Sequence, residues 1–204
     1  MCKTSGKIVA CQSHQSRKAA KRSARVDHMS APIAWLSLGG NAQGCWGAPI
    51  VAMRRAVACL ERHGLEVVIQ SDVFATPPVG RVRQAEFTNM VIAVVGAVAP
   101  AALLRLAKRI ERAAGRRAGV RWGPRPLDID ILSIGGRQFK SRGGVRVAGR
   151  LVLPHPEMVR RGFVLVPLAQ IAPKWRHPVC GRSARSLILR CPALRRGIRE
   201  HGKA

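Results

Sequence analysis

Residues 87–115 read FTNMVIAVVGAVAPAALLRLAKRIERAAG, and the fold is legible from there outward. Phe87–Val95 is almost wholly apolar after Asn89, the pattern of a strand buried on both faces and central in its sheet. Pro100 then opens a helix, with Leu103, Ala107, Ile110 and Ala114 on one face and Gly115 as its stop. Upstream, Ile33–Leu38 reads as a short strand ending at Gly39-Gly40-Asn41. Pro49 starts a second helical pattern through Ile50, Met53, Val57 and Leu60, which Gly64 ends. Val67–Phe74 reads as one strand, broken by Thr76-Pro77-Pro78-Val79-Gly80. Downstream, Leu127–Ile134 is a fourth strand. The order strand, helix, strand, strand, helix, strand predicts an α+β, ferredoxin-like βαββαβ core: an antiparallel sheet with both helices on one face. C-terminal additions follow. Leu151–Pro156 and Phe163–Leu168 read as short extended pieces around one turn of helix, and residues 137–150, RQFKSRGGVRVAGR, as a mobile loop.

The 204 residues therefore divide into three parts. Residues 1–31 form a basic arm, expected to be disordered, and 32–175 a single domain. Residues 176–204 form a basic, weakly patterned tail. The arm lacks the apolar core of a secretory signal. It reads as a transit peptide or a basic extension, or as untranslated sequence if synthesis begins at Met29. Recovery of residues 1–28 by peptide mapping would exclude a start at Met29.

The formal charge is +26, from 36 Lys+Arg against 10 Asp+Glu. Such a field attracts anions, whether nucleic acid, anionic lipid or phosphorylated metabolites. No apolar run is long enough to span a membrane. The six cysteines form no CxxC, and scattered reduced thiols suit a cytoplasmic protein. There is no GxxxxGK[ST], no GxGxxG between strand and helix, and no HExxH. A nucleotide must then be held by side chains and metal ions.

In a chain so poor in acids, Asp128 and Asp130 stand out. Two apart on a strand, they point to the same side, while Leu127, Ile129 and Ile131 take the other. Adjacent carboxylates repel unless a cation holds them, and hard oxygen ligands suit Mg²⁺. Arg116, Arg117, Arg121 and Arg125 precede the pair. Arg150, His155, Arg160 and Arg161 follow it. A metal pair among arginines is the equipment of phosphoryl-type transfer. Its plain alternative is a polar strand face on a basic surface. Thr76–Asn89, TPPVGRVRQAEFTN, adds a stiff loop followed by Phe87 and Asn89 on one side of a strand. An aromatic face beside a carboxamide suits a flat, hydrogen-bonding heterocycle, although such a pair also occurs as simple packing.

Taken in order, GGN at 39–41, SDVFATPPVG at 71–80, Gln84, FTN at 87–89, IERAAGR at 110–116, RWGPRPLDIDIL at 121–132, LPHP at 153–156 and RGFVLVPL at 161–168 resemble the 6-hydroxymethyl-7,8-dihydropterin pyrophosphokinases of folate biosynthesis. The resemblance runs from about Ile33 to Ile171. It implies transfer of pyrophosphate from ATP to the pterin hydroxymethyl group, with release of AMP. It implies two Mg²⁺ ions on Asp128 and Asp130, with Arg116 and Arg125 assisting transfer from a loop that closes over ATP. Glu111, Trp122, Ile131, Arg150, His155 and Arg161 match positions around the nucleotide. Thr76, Pro77, Val79, Phe87, Asn89, Trp122 and Phe163 match the pterin pocket. The partners are thus small molecules, with no membrane and no required nucleic acid, and a monomer is expected. Three positions depart from the family pattern. Gly40 stands where serine is usual, Ala118 replaces a second loop arginine, and Phe87 replaces a frequent tyrosine. A second reading keeps the scaffold but makes the chain a basic nucleic-acid-binding protein; the sheet lacks the exposed aromatics of an RNA-stacking platform.

Overall fold

The computed structural model describes residues 32–78, 84–117, 123–135 and 151–203, with the backbone alone at 139–140. The arm 1–31, most of the Arg/Gly-rich stretch and the site candidates Val79, Trp122 and Arg150 lie outside the described residues, as does Ala118.

Strands β1 (Ala34–Gly40), β2 (Glu66–Gln70), β3 (Val73–Thr76), β4 (Phe87–Val95), β5 (Asp128–Ile134) and β8 (Arg199–Gly202) form one six-stranded sheet. Its order is β5-β1-β4-β3-β8, with β2 also on β4 and every pairing antiparallel. A separate ribbon pairs β6 (Phe139–Lys140) with β7 (Val152–Leu153). Helices α1 (Pro49–Arg62) and α2 (Pro100–Ala113) each carry proline at the first turn, where a missing N–H costs nothing. Each is followed by a glycine at positive φ, Gly64 at 80° and Gly115 at 99°, a conformation that a Cβ would strain.

Both helices cover one face of the sheet. Met53, Leu60, Leu103 and Ile110 pack there on Leu36, Leu38, Ile92, Ile129 and Ile131, all of them buried. Because side chains alternate along a strand, Ser37, Gly39, Asn89, Val91, Asp128 and Asp130 face the other way. That second face is only partly covered, by α3 (Gly162–Ile171) and α4 (Ala184–Arg190). Val164, Leu165, Leu168 and Ile188 bury Val91 and Leu132 there. The uncovered part is where the acids emerge.

Two expectations need correction. Val67–Phe74 is not one strand. Ser71 interrupts it, its Oγ accepting the N–H of Val91 at 2.9 Å in place of a backbone carbonyl, so β2 and β3 separate. Phe163–Leu168 is helical rather than extended. GFVLVPLAQI is apolar all round and contains Pro167, so neither period nor composition signals a helix, and packing on the sheet selects one. Residues 176–204, read as a basic and weakly patterned tail, contain regular elements. Among the described ones, α4 packs on α3 and β8 pairs with β3. All four residues of β8 are exposed, so the strand is held by backbone pairing and leaves no hydrophobic pattern to read.

Candidate active site

The register across the open face sets the site. Gly39 of β1 pairs with Asp128 of β5 on one side and with Asn89 of β4 on the other. Ser37 pairs with Asp130, and Thr76 of β3 with Phe87. A row of carboxylates therefore lies one strand away from a row of amide, hydroxyl and ring, and a glycine leaves the space between them. That space is a cleft of about 430 Å³, with Phe163 and Arg161 on its α3 side.

Each acid is held by arginine. Asp128 bonds Arg116 through Oδ1 and Arg125 through Oδ2, the latter at 2.9 Å. Asp130 accepts from Arg161 at 2.8 Å, with His155 Nε2 at 3.8 Å. The two side chains remain 23% and 26% exposed, open to a ligand. Burial favours a neutral Asp128, but Arg116 and Arg125 outweigh it and hold the carboxyl below its ordinary value. Burial likewise opposes the charge on Arg116, yet Asp128 and Glu111 keep its pKa above the usual one.

Arg116 is aimed by the end of α2. Gly115 turns the chain, and the Arg116 N–H returns to the carbonyl of Glu111 at 3.0 Å. The Glu111 side chain is only 2% exposed. It accepts from the N–H of Ile129 at 2.8 Å and from Lys108 at 2.7 Å, and pairs with Arg116 at 2.9 Å. Burial, the larger effect, pushes its carboxyl up despite both cations. Glu111 thus stands behind the site and links helix, strand and Arg116. Ile131 turns its side chain into the core, so only its backbone is available to a ligand.

Arg125 is fixed through Asn41. The Asn41 Oδ1 accepts the N–H of Arg125 at 3.0 Å, and the N–H groups of Asn41 and Ala42 donate to the carbonyl of Arg125. The Asn41 amide also donates to Gln84 and to the carbonyl of Ala85, both at 3.0 Å. Gly40 lets these segments touch. A Cβ there would stand 2.3 Å from the Pro126 carbonyl oxygen, so serine at this position requires a shifted backbone. Arg125 also lies over the Phe87 ring, 5.5 Å from its centre, and Arg161 over Phe163 at 5.6 Å. The buried Nε of Arg125 has no hydrogen-bond partner among the described residues, an unanswered donor beside the cleft.

On the other side, the Asn89 amide donates to Thr76 Oγ1 at 2.7 Å, with both residues buried. The bond fixes the amide and leaves its carbonyl toward Gly39, where a Cβ would lie 2.2 Å from Oδ1. His155 Nδ1 lies 3.2 Å from the N–H of Glu157, which it accepts, leaving the ring proton on Nε2. Burial first, and then Arg161, lowers the pKa of this imidazole in spite of Asp130, so it is neutral near pH 7.

The structure thus gathers Thr76, Pro77, Phe87, Asn89, Arg116, Arg125, Asp128, Asp130, Arg161 and Phe163 around one cleft, with His155 beside Asp130. Sequence reasoning missed Ser37, Lys108 and Glu157 on the cleft wall and the bracing role of Asn41. Lys108 lines the cleft one turn before Glu111, at a helical i, i+3 spacing that could have flagged it. Asn41 was read only as part of a turn, and no local signal marks its long-range bond to Arg125.

Paired carboxylates among arginines, beside a cleft lined by two phenylalanines and a carboxamide, fit the class of phosphoryl-type transferases. Comparisons make this specific. The profile of the family 7,8-dihydro-6-hydroxymethylpterin-pyrophosphokinase (HPPK) matches residues 35–173. The 2-amino-4-hydroxy-6-hydroxymethyldihydropteridine pyrophosphokinase of Bacillus subtilis is 39% identical over 140 residues, 68% of this chain and 77% of its own. That of Pseudomonas aeruginosa is 35% identical over 159 residues, 78% of this chain and 91% of its own. The crystal structure of wild-type Plasmodium falciparum HPPK-DHPS with pteroate superposes with a TM-score of 0.66 at 14% identity. That match covers 84% of this chain and 48% of the solved one, and it supports the fold alone. The chain belongs to the 7,8-dihydro-6-hydroxymethylpterin-pyrophosphokinase family. It transfers pyrophosphate from ATP to 6-hydroxymethyl-7,8-dihydropterin, giving the pterin diphosphate and AMP, a step of folate biosynthesis. Members of the family use ATP with Mg²⁺. No helix among the described residues is long and apolar enough to cross a membrane.

Proposed function

We propose that Asp128 and Asp130 hold two Mg²⁺ ions, that Arg116, Arg125 and Arg161 take the ATP phosphates, and that Phe87, Phe163, Asn89 and Thr76 hold the pterin. The observation that carries this reading is Gly39, which separates the carboxylate row from the amide row by a single strand. The donor set suits the metal: hard carboxylate oxygens on one strand, partly open to solvent, where Mg²⁺ completes its shell with water and phosphate. When bound there, Mg²⁺ would act as a Lewis acid and offset phosphate charge.

The chain's own residues do the rest. Arg116 and Arg125, which hold Asp128 in this structure, would turn to phosphate oxygens when the nucleotide binds, and the Arg125 Nε, unpartnered among the described residues, would gain a partner. The pterin ring lies between Phe87 and Phe163, and the Asn89 carbonyl accepts from its edge. The hydroxymethyl oxygen then faces the β-phosphorus. The new O–P bond forms as the bond from the β-phosphorus to the α-phosphate oxygen breaks, AMP leaves, and the hydroxyl proton passes to solvent. Such a transfer depends on alignment and charge neutralisation more than on a strong base. His155 fits this, because its one lone pair is engaged and Nε2 remains a donor to phosphate. Glu111 positions Arg116, and Ile131 offers backbone to the nucleotide. The roles of Trp122, Arg150 and Val79 rest on the family resemblance.

We place the enzyme in the cytoplasm as a monomer, acting on small molecules without nucleic acid. Its four described cysteines are free, and its exposed large apolar residues are dispersed, with only Val68 and Ile69 adjacent, on β2. A coupled AMP assay tests the site. AMP must require both the pterin alcohol and Mg²⁺, and Asp128→Ala or Asp130→Ala must abolish it without unfolding the protein. Near-normal turnover in either variant would remove the metal assignment.

A further inference from the structure

Residues 174–203 lie beyond the family match, yet their contacts converge on the two walls of the pterin slot. Resting on the assignment of that slot above, we propose that residues 194–199 act as a positioning clamp for the pterin pocket, setting affinity for the pterin without touching it.

Three separate pieces of chain carry the pocket: Thr76-Pro77, Phe87 with its neighbour Glu86, and Phe163 with its neighbour Gly162. The C-terminal segment meets all three. Arg199 pairs with Ala75 across β8 and β3, immediately before Thr76. Without β8, the four-residue β3 would be an edge strand with half of its backbone groups unpaired. Gly197, at φ 68°, lies directly against Pro77; a Cβ there would stand 3.1 Å from Pro77 Cγ. Arg199 Nη2 reaches both oxygens of Glu86, at 2.8 and 2.7 Å. The Leu194 carbonyl fills the place a Gly162 side chain would take, 1.7 Å from the Cβ position.

One six-residue segment therefore fixes the spacing between Phe87 and Phe163. Spacing matters because a ring slot works by contact: a gap wider by about 0.5–1 Å loses about a quarter to a half of the dispersion attraction. The Arg199–Glu86 pair is exposed and contributes little alone. The close backbone contacts at Gly197 and Gly162 carry most of the effect.

The test compares steady-state constants and melting temperatures of the full chain. Gly197→Ala should raise the KM for the pterin alcohol about five- to tenfold, leaving the ATP KM and kcat within about twofold. Gly181→Ala is the control. It has the same backbone strain, φ 67°, with nothing within 4 Å, and should lower the melting temperature without moving either KM. Arg199→Ala, at an exposed position, serves if Gly197→Ala does not fold; it should raise the pterin KM about two- to threefold. Unchanged pterin KM in the folded variants, a parallel rise in both KM values, or an equal rise in Gly181→Ala overturns the clamp. Asn89→Ala separates this from the underlying assignment. If it raises the pterin KM while the clamp variants do not, only the clamp is wrong. If it leaves the pterin KM alone, the pocket assignment fails and the clamp falls with it.

Discussion

Gly39→Ala should damage pterin use far more than a single methyl group suggests. The new Cβ would lie 2.2 Å from Asn89 Oδ1, about 1 Å inside normal contact. The backbone cannot absorb this, because Gly39 and Asn89 are direct partners in the ladder between β1 and β4, and β4 is flanked on both sides. The Asn89 amide must therefore rotate and lose its 2.7 Å bond to Thr76, in a place where the two residues are only 4% and 2% exposed. Leaving such a buried pair unsatisfied costs about 1–3 kcal/mol. If the loss falls on transition-state binding, kcat/KM for the pterin drops about 5- to 150-fold. The melting temperature should fall by a few degrees, at about 2–4 °C per kcal/mol for a domain of this size. Steady-state AMP formation with varied pterin reads the first effect, and thermal unfolding the second. The double variant Gly39→Ala/Asn89→Ala decides the cause. If displacement of the amide is the damage, adding Gly39→Ala to Asn89→Ala costs nothing more. A double variant markedly worse than Asn89→Ala, or a Gly39→Ala enzyme within twofold of the parent, refutes the reasoning.

Other consequences concern the charged half of the cleft. Asp128→Asn and Asp130→Asn should each lower turnover at least about 10²–10³-fold while circular dichroism stays unchanged, and added Mg²⁺ should not restore it. The stability contribution of Asp128 has a definite sign with pH. Its folded-state pKa lies below the ordinary 3.8, so its contribution is complete above that value and is lost as pH falls through the folded one. Urea unfolding of the parent and Asp128→Asn should therefore differ by a constant amount at neutral pH, and the curves should approach each other only below about pH 4. Arg116→Ala should reduce kcat about 10²-fold. Arg117→Ala, at an exposed position, should stay within about twofold, which kinetic comparison of the two checks directly.

How much of this was open to reading depends on how far each determinant reaches along the chain. Helices α1 and α2 were legible because proline at the start, glycine after the end and a 3.6-residue apolar stripe lie within one segment. The common orientation of Asp128 and Asp130 was legible because alternation along a strand is local. Phe163–Leu168 was not, since a segment apolar on every side gives the same pattern as strand or buried helix. The tail was not, since an exposed edge strand needs no particular side chains.

The sequence by itself determined the strand-helix frame of the core from β1 to β5, the acid pair with its arginines, and the family to which their spacing belongs. Only the tertiary structure decided that Gly39 lies between Asp128 and Asn89, that Asn41 holds Arg125, and that residues 194–199 lie against Gly162, Pro77 and Glu86. Those three facts are matters of strand register and close backbone approach between residues far apart in the chain. Register follows from the packing of whole faces, and close approach from the absence of a Cβ at one site opposite backbone from another. Neither leaves a trace in the residues on one side alone.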